Sequence, residues 1–140
     1  MTNSFNELGR AKMIMVIGSN MTEAHPVAAT FVKNAVIKGA KLVVVDPRRH
    51  KLAEMADLHV PIRVGSDIAF LNALMQVLIA EERYDKKFVG SCTVDFDKLA
   101  ATVTRYTPEY AADICGVSAE TIRDVARRIS SVKPMMLCYT

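Results

Sequence analysis

Small polar residues follow the first apolar segment of the chain, at the position where a strand would end. Met13–Ile17 is an apolar run of strand length, followed by Gly18, Ser19 and Asn20, with Pro26 a few residues later. Proline suits the first turn of a helix, because the N–H that it lacks would have no partner there. A strand, a tight turn and a helix start in this order direct backbone N–H groups towards a phosphate. The segment therefore predicts a turn that binds part of a nucleotide.

An acidic residue follows the second apolar segment in the same way. Lys41–Val45 reads as a strand, and Asp46, Pro47 and Arg48 come directly after it. In dinucleotide-binding folds, an acidic residue at the end of the second strand holds a ribose hydroxyl or a base edge. Gly18 stands alone, however, without the other glycines of the G-x-G-x-x-G pattern. Taken without further context, the motif is only a weak indication of a nucleotide site.

The elements around these two turns predict an α/β fold. The helix between the two strands is indicated by apolar residues at helical spacing: Ala28, Phe31, Val32 and Ala35. Gly39 suits a left-handed cap at the end of that helix. A strand, a helix and a second strand this close together form a right-handed unit with parallel strands. We predict a Rossmann-like three-layer domain with a mainly parallel sheet, followed by a helical segment.

The sequence suggests two parts within one domain. Residues 1–82 form the Rossmann-like nucleotide-end part, in which Ser66 or Asp67 can cap a long helix with an apolar stripe. Residues 83–140 form a helical continuation, in which Thr107 and Ser118 suit helix N-caps. The continuation ends in a truncated strand with no following turn or partner. With a loop-like start at the other end, this pattern predicts a fragment of a longer chain.

Composition excludes several other classes of protein. The net charge is only +3, and no basic run is interleaved with aromatic residues, so nothing indicates a nucleic-acid partner. The apolar stretches fall short of the roughly 20 residues that a membrane span needs, and the N-terminus has no apolar signal region. The three cysteines are far apart and form no C-x-x-C pair. We therefore expect buried structural thiols, a cytoplasmic location and no metal site within this segment.

Several ordered blocks together resemble the molybdopterin-dependent oxidoreductase family, and within it the catalytic alpha subunits of formate dehydrogenases. The resemblance covers essentially the whole chain and is much more specific than one glycine turn. The blocks that carry it are Gly18–Pro26, Val44–Arg49, Ala56–His59, Gly65–Ala69, Tyr84–Val89, Tyr106–Glu109 and Ile114–Ser118.

The resemblance implies a function for these blocks. The parent enzyme would oxidise formate to carbon dioxide, or reduce carbon dioxide, at molybdenum or tungsten held by two molybdopterin guanine dinucleotides. This segment would receive a guanosine and pyrophosphate end of that cofactor. Carried over by position, Gly18, Ser19, Asn20 and Glu23 would line the pyrophosphate and ribose, and His25 lies beside them. Five further positions would contact the guanosine end, the last three of them closing over the base: Asp46, Arg48, Gly65, Ser66 and Asp67.

The resemblance also shows what the segment lacks. The family's cysteine cluster for an iron–sulfur centre, its metal-ligating cysteine or selenocysteine, and its active-site His–Arg neighbourhood have no counterpart here. Cys92, Cys115 and Cys138 lie outside those parts of the family pattern. We therefore expect no catalytic residue and no metal ligand in this segment. Catalysis and the iron–sulfur cluster would belong to the parent chain, with the rest of the alpha subunit and electron-transfer subunits as partners.

Other interpretations remain open at this point. Gly18 could be an ordinary turn glycine and Asp46 a helix cap, and Arg49 and His50 are expected to be solvated or ion-paired. The chain could instead be a non-catalytic nucleotide-binding sensor module, a structural segment, or part of a nitrate reductase-type subunit. An aspartate can accept hydrogen bonds from both guanine N1–H and its amine, but the sequence does not decide between Asp46 and Asp67 for this role.

Overall fold

The computed structural model describes residues 4–139. Residues 1–3 and 140 lie outside the described part, and they include the two ends at which the sequence suggested a cut fragment. The chain divides into two compact units. The first runs up to Pro61 and resumes at Val132, and the second comprises Ile62–Ser131.

The first unit is built on a parallel sheet. Within the described residues its four strands are β1 (Met13–Ile17), β2 (Lys41–Val45), β3 (Leu58–Val60) and β4 (Met135–Tyr139). The strand order is β3-β2-β1-β4, and each neighbouring pair is parallel. The predicted α/β class is confirmed. The expectation that the last strand lacks a partner is wrong, because β4 pairs with β1 along its whole length.

Four helical segments accompany this sheet within the described residues: a 3-10 helix (Phe5–Arg10), α1 (Met21–Ala24), α2 (Pro26–Ile37) and α3 (Lys51–Met55). Pro26 occupies the first turn of α2, as predicted. The short helix α1 was not predicted. It forms because the N–H groups of Glu23 and Ala24 both donate to the Asn20 carbonyl oxygen, at 3.1 and 3.0 Å. His25 then interrupts the helical backbone, and α2 begins at the next residue.

Burial explains the continuous apolar runs in the first two strands. All five residues of β1 are buried, and so are the last four of β2. A parallel strand that is covered on both faces has no solvent side, so it needs no alternation of polar and apolar residues. The side chains that pack around it include Leu8 from the 3-10 helix, Val32 from α2 and Leu52 from α3.

The second unit is helical. Within residues 62–131 its helices are α4 (Asp67–Ala80), α5 (Lys86–Cys92), α6 (Phe96–Val103), α7 (Pro108–Cys115) and α8 (Ala119–Ser131). Helix α4 packs against α6, α7 and α8, with Phe70 of α4 and Ile122 of α8 fully buried. The expected division after residue 82 therefore falls inside this unit. The buried face of α4 differs from the apolar stripe expected from the sequence, because Ile68 is 71% exposed and the buried residues are Ala69, Phe70, Ala73, Leu74 and Val77.

Of the three helix caps that the sequence suggested in the second unit, at Ser66, Thr107 and Ser118, two are formed. The Thr107 hydroxyl accepts a hydrogen bond from Tyr110 N at 3.2 Å, and the Ser118 hydroxyl accepts one from Thr121 N at 3.0 Å. Both predicted caps are confirmed. Ser66 precedes α4, but its hydroxyl donates to the Arg63 carbonyl oxygen at 2.6 Å and makes no capping bond.

Candidate functional site

The strand order identifies one edge of the sheet as the place for a ligand. The chain builds the sheet from β1 outwards through β2 to β3, and β4 then pairs on the opposite side of β1. The order therefore reverses between β1 and β4. Open α/β sheets bind ligands in the crevice outside the carboxyl ends of the strands at such a reversal. In the first unit, this edge carries the turns that follow β1 and β2.

The turn after β1 has the backbone that a close approach requires. Gly18 has φ of +63°, a left-handed conformation that glycine adopts without strain, and a Cβ there would meet no atom within 4 Å. The need for glycine therefore comes from the backbone angle and not from crowding. Gly18 is exposed, whereas Ser19 is buried. The side-chain oxygen of Asn20 accepts a hydrogen bond from the Thr22 hydroxyl at 2.7 Å, which holds the amide beside α1.

Glu23 and His25 are both exposed in the connection from β1 to α2. Glu23 lies in α1, and His25 is the residue before α2, where its side chain makes no capping hydrogen bond. At this edge of the sheet, Glu23 supplies a carboxylate that can accept hydrogen bonds, and His25 supplies an imidazole ring whose nitrogens can donate or accept. Because α1 has only four residues, its dipole is too small to act as an anion site.

The turn after β2 is organised by a buried carboxylate. Asp46 follows Val45, which pairs with Ile17 in the sheet, so the turns carrying Asp46 and Gly18 begin side by side. The side chain of Asp46 is 4% exposed. Its Oδ1 accepts a hydrogen bond from Arg48 N at 2.8 Å, and the exposed Arg48 guanidinium lies 3.6 Å from the same oxygen. A carboxylate removed from water in this way binds a donor that reaches it more strongly than an exposed one does.

Sequence reasoning missed His50 at this site. The structure buries its side chain to 6% exposure, so of the two expected alternatives the residue is not solvated but lies beside the Asp46 carboxylate as a potential ion-pair partner. Its Nε2 lies 3.8 Å from Oδ2 of Asp46, and neither ring nitrogen has a hydrogen-bond partner among the described residues. The signal that could have identified it is its position four residues after Asp46, together with the start of α3 at the next residue.

His59 supports the same turn from β3. Its Nε2 lies 2.9 Å from the backbone oxygen of Asp46, and because a carbonyl oxygen can only accept, this nitrogen is the donor. The N–H of Asp46 donates to the Val60 carbonyl oxygen at 3.2 Å. Both the carbonyl oxygen and the N–H of Asp46 are therefore hydrogen-bonded to residues of β3, and His59 has a structural role in this turn.

Three of the sequence-predicted site residues lie in the second unit. Gly65 has φ of +79°, Ser66 is buried, and Asp67 is the exposed first residue of α4. The Cys115 thiol donates to the Ser66 carbonyl oxygen at 3.6 Å, so this turn is held against the end of α7. Seven of the ten predicted residues thus share the carboxyl edge of the sheet in the first unit, and three belong to the turn that precedes α4.

The cysteines are free, and their environments differ. Cys115 is buried, Cys138 is half-buried and Cys92 is exposed, so the expectation of a buried thiol is wrong for Cys92. Burial raises the pKa of the Cys115 and Cys138 thiols. No group of three or more His, Cys, Asp or Glu side chains within residues 4–139 could hold a metal ion.

Similarity to known proteins gives this α/β fold and its carboxyl-edge turns a family. The family model for molybdopterin oxidoreductase matches residues 1–138. The chain therefore belongs to the molybdopterin oxidoreductase family, as the sequence blocks predicted.

The individual relatives are much longer than this chain. Formate dehydrogenase H of Escherichia coli (strain K12) is 44% identical over 139 residues, which are 99% of this chain and 19% of that protein. The F420-dependent formate dehydrogenase subunit alpha of Methanocaldococcus jannaschii is 40% identical over 99% of this chain and 21% of its own length. This chain thus spans about a fifth of either relative.

A solved structure agrees with the fold. Acetylene hydratase from Pelobacter acetylenicus superposes with a TM-score of 0.87 and 31% sequence identity, over 97% of this chain and 21% of that one. None of the helices within residues 4–139 is long and apolar enough to cross a membrane.

Proposed function

We propose that this chain is a segment of a formate dehydrogenase-type molybdopterin oxidoreductase and that it binds the guanosine and pyrophosphate end of a molybdopterin guanine dinucleotide. The observation that carries the proposal is the buried carboxylate of Asp46 beside the exposed Gly18 turn, at the edge where the strand order reverses. Formate is favoured as the substrate of the longer chain because the two relatives described above are formate dehydrogenases.

The residues at this edge fit a guanosine diphosphate group chemically. Asp46 supplies a desolvated acceptor for ribose hydroxyls or for the N1–H and amine of guanine. Arg48 supplies an exposed cation for a phosphate, and the left-handed Gly18 turn admits close approach of a ligand to the backbone. Ser19, Asn20, Glu23 and His25 complete the proposed set in the first unit, and Gly65, Ser66 and Asp67 are the proposed contacts to the base.

Catalysis belongs to the longer chain in this proposal. When bound, the cofactor supplies molybdenum or tungsten as the redox centre at which formate is oxidised. In this proposal the segment contributes binding and orientation only, and its share of about a fifth of the relatives' length supports a role as one part of a larger enzyme. We propose the rest of the alpha subunit and electron-transfer subunits as partners, an iron–sulfur cluster in the parent chain, and a cytoplasmic location that suits free cysteines.

An amide NMR titration of the labelled chain tests the binding role. We expect guanosine diphosphate to shift the resonances of Gly18, Asn20, Asp46 and Gly65, and adenosine diphosphate to shift them much less. A preference for the adenine nucleotide would contradict the proposed pocket and favour a sensor module. No shift with either nucleotide would contradict a nucleotide site on this chain.

Two neighbouring arginines give a matched control. Arg48→Gln should weaken binding of guanosine diphosphate by about tenfold, because it removes a cation at the site. Arg49→Gln changes the same charge on the next residue, which is exposed and which we expect to be solvated. It should leave the affinity within about twofold, since solvated charges are screened by salt. Equal losses in the two variants would indicate general electrostatic attraction and not a site. In the longer chain, assays with formate and with nitrate test the proposed substrate.

A further inference from the structure

His50 is a buried polar side chain whose hydrogen-bonding capacity the described residues leave unused. Its side chain is 6% exposed, and both ring nitrogens are buried without a hydrogen bond among residues 4–139. An unsatisfied polar atom in a protein interior costs free energy, so native structures contain few of them. The placement of this ring therefore requires an explanation beyond packing.

The neighbour of the ring supplies that explanation. The Nε2 of His50 lies 3.8 Å from Oδ2 of Asp46, whose side chain is 4% exposed. The other oxygen of the carboxylate is already held, since Oδ1 accepts from Arg48 N at 2.8 Å. A hydrogen bond needs a separation of about 2.9 Å, so a relative movement of about 0.9 Å would join His50 to Asp46.

We infer that His50 is a positioning residue for the Asp46 carboxylate and closes this hydrogen bond when a nucleoside diphosphate binds. With Arg48 N on one oxygen and His50 Nε2–H on the other, the plane of the carboxylate is fixed. An ionised carboxylate has about four acceptor positions, so two remain for hydroxyl or N–H donors of the ligand. The inference rests on the proposed function, because it assumes that the ligand of Asp46 is a nucleotide end.

The competing explanation is that His50 only fills space between the turn and α3. The two explanations differ in what the ring does when ligand binds. A packing residue keeps its nitrogen environment, whereas a positioning residue gains a hydrogen bond at Nε2 and takes one tautomer. Nitrogen chemical shifts of the imidazole report both changes directly.

The first experiment follows the imidazole nitrogens of ¹⁵N-histidine-labelled chain while guanosine diphosphate is added. We expect a shift of the His50 Nε2 resonance that saturates together with the amide shift of Asp46. An Asp46 amide that moves while the His50 nitrogens stay unchanged would overturn this inference and leave the proposed function standing. If the Gly18 and Asp46 amides do not move either, both proposals are wrong.

The second experiment compares variants by calorimetric titration with guanosine diphosphate. His50→Leu keeps the volume but removes the donor, and we expect the affinity to fall by about tenfold. His50→Gln keeps a donor and should stay within about threefold of the original chain. Lys51→Gln, on the adjacent exposed residue, is the control and should bind normally. Normal binding by His50→Leu, or equal losses in the Leu and Gln variants, would overturn the inference. Should His50→Leu not fold, the Gln variant and the nitrogen shifts decide the question.

Discussion

The two ends of β2 each carry a neighbouring aspartate, and the two aspartates are used differently. At the amino end, Asp57 accepts a hydrogen bond on each oxygen: Lys41 Nζ donates to Oδ1 at 2.8 Å and Leu42 N to Oδ2 at 2.9 Å. At the carboxyl end, Asp46 accepts one hydrogen bond on Oδ1, and its Oδ2 faces His50 at 3.8 Å.

This difference separates a carboxylate that is hydrogen-bonded on both oxygens from one that is hydrogen-bonded on a single oxygen within the described residues. Partial burial raises the pKa of Asp57, but the hydrogen bonds from Lys41 and from the Leu42 backbone outweigh it, and the net pKa lies below its usual range. The fold therefore uses the charge of Asp57 to hold two strands together. Asp46 is the more deeply buried of the two, and it retains acceptor positions at the edge where α/β sheets bind ligands.

The largest expected effect is on stability at the amino end. Asp57→Ala leaves the part-buried N–H of Leu42 without its acceptor, and a lost partner of this kind costs about 1–3 kcal/mol. We expect the free energy of unfolding, measured by urea denaturation, to fall by that amount. Affinity of the folded variant for guanosine diphosphate should not change, and a loss of affinity would contradict the division of roles between the two ends.

The carboxyl end should show the opposite result. Asp46→Asn keeps an oxygen for Arg48 N but removes the charge that strengthens hydrogen bonds from a ligand. We expect calorimetric affinity for guanosine diphosphate to fall by about tenfold, or about 1.4 kcal/mol, with little change in the unfolding midpoint. Asp57→Asn serves as the matched control for affinity. If Asp46→Asn unfolds more easily and still binds, Asp46 is a structural residue like Asp57.

A smaller effect is expected at the turn beside Asp46. Gly18→Ala places a Cβ in open space but in a left-handed backbone conformation, at φ of +63°. That conformation costs an L-residue about 1 kcal/mol, so the free energy of unfolding measured in urea should fall by this amount. Gly9→Ala is the control, because a Cβ at Gly9 also meets open space and no positive φ is involved. Equal stability of the two variants would show that the turn readily takes another backbone conformation.

The smallest effect is on the pH dependence of stability. Because the pKa of Asp57 is lower in the folded chain, its ionised form stabilises the fold above the usual aspartate pKa of about 4. That contribution disappears as the pH falls through the lowered folded pKa. The stability difference between the original chain and Asp57→Asn should be constant from about pH 7 to pH 5 and shrink below about pH 4. A difference that persists unchanged at low pH would show that the charge of Asp57 contributes nothing.

Much of the local structure could be predicted from the sequence. The apolar runs of β1 and β2, the proline that starts α2, and the caps at Thr107 and Ser118 are determined by residues close to one another in the chain. The short helix α1 was not predicted, because its single turn is held by backbone hydrogen bonds to the Asn20 carbonyl oxygen and no pattern of side chains indicates them.

Two long-range features were missed as well. The pairing of β4 with β1 joins residues more than a hundred positions apart, and no local pattern encodes it. The burial of His50 was missed for a similar reason, since a charged or polar residue after a strand is usually solvated. The role of the candidate site residues is still a prediction, which the nucleotide titrations above test.

The sequence by itself determined the class of fold, the family and, apart from α1, the order of the main helices and strands, because apolar periodicity, caps and ordered blocks are properties of short segments. Only the tertiary structure decided which polar groups lose their water. Asp46 and Asp57 are the same residue type close to the same strand, but Lys41 Nζ and Leu42 N hold both oxygens of Asp57, whereas only Oδ1 of Asp46 accepts a hydrogen bond and its Oδ2 lies 3.8 Å from the buried His50 ring. Desolvation depends on the segments that pack around a group, and those segments come from distant parts of the chain.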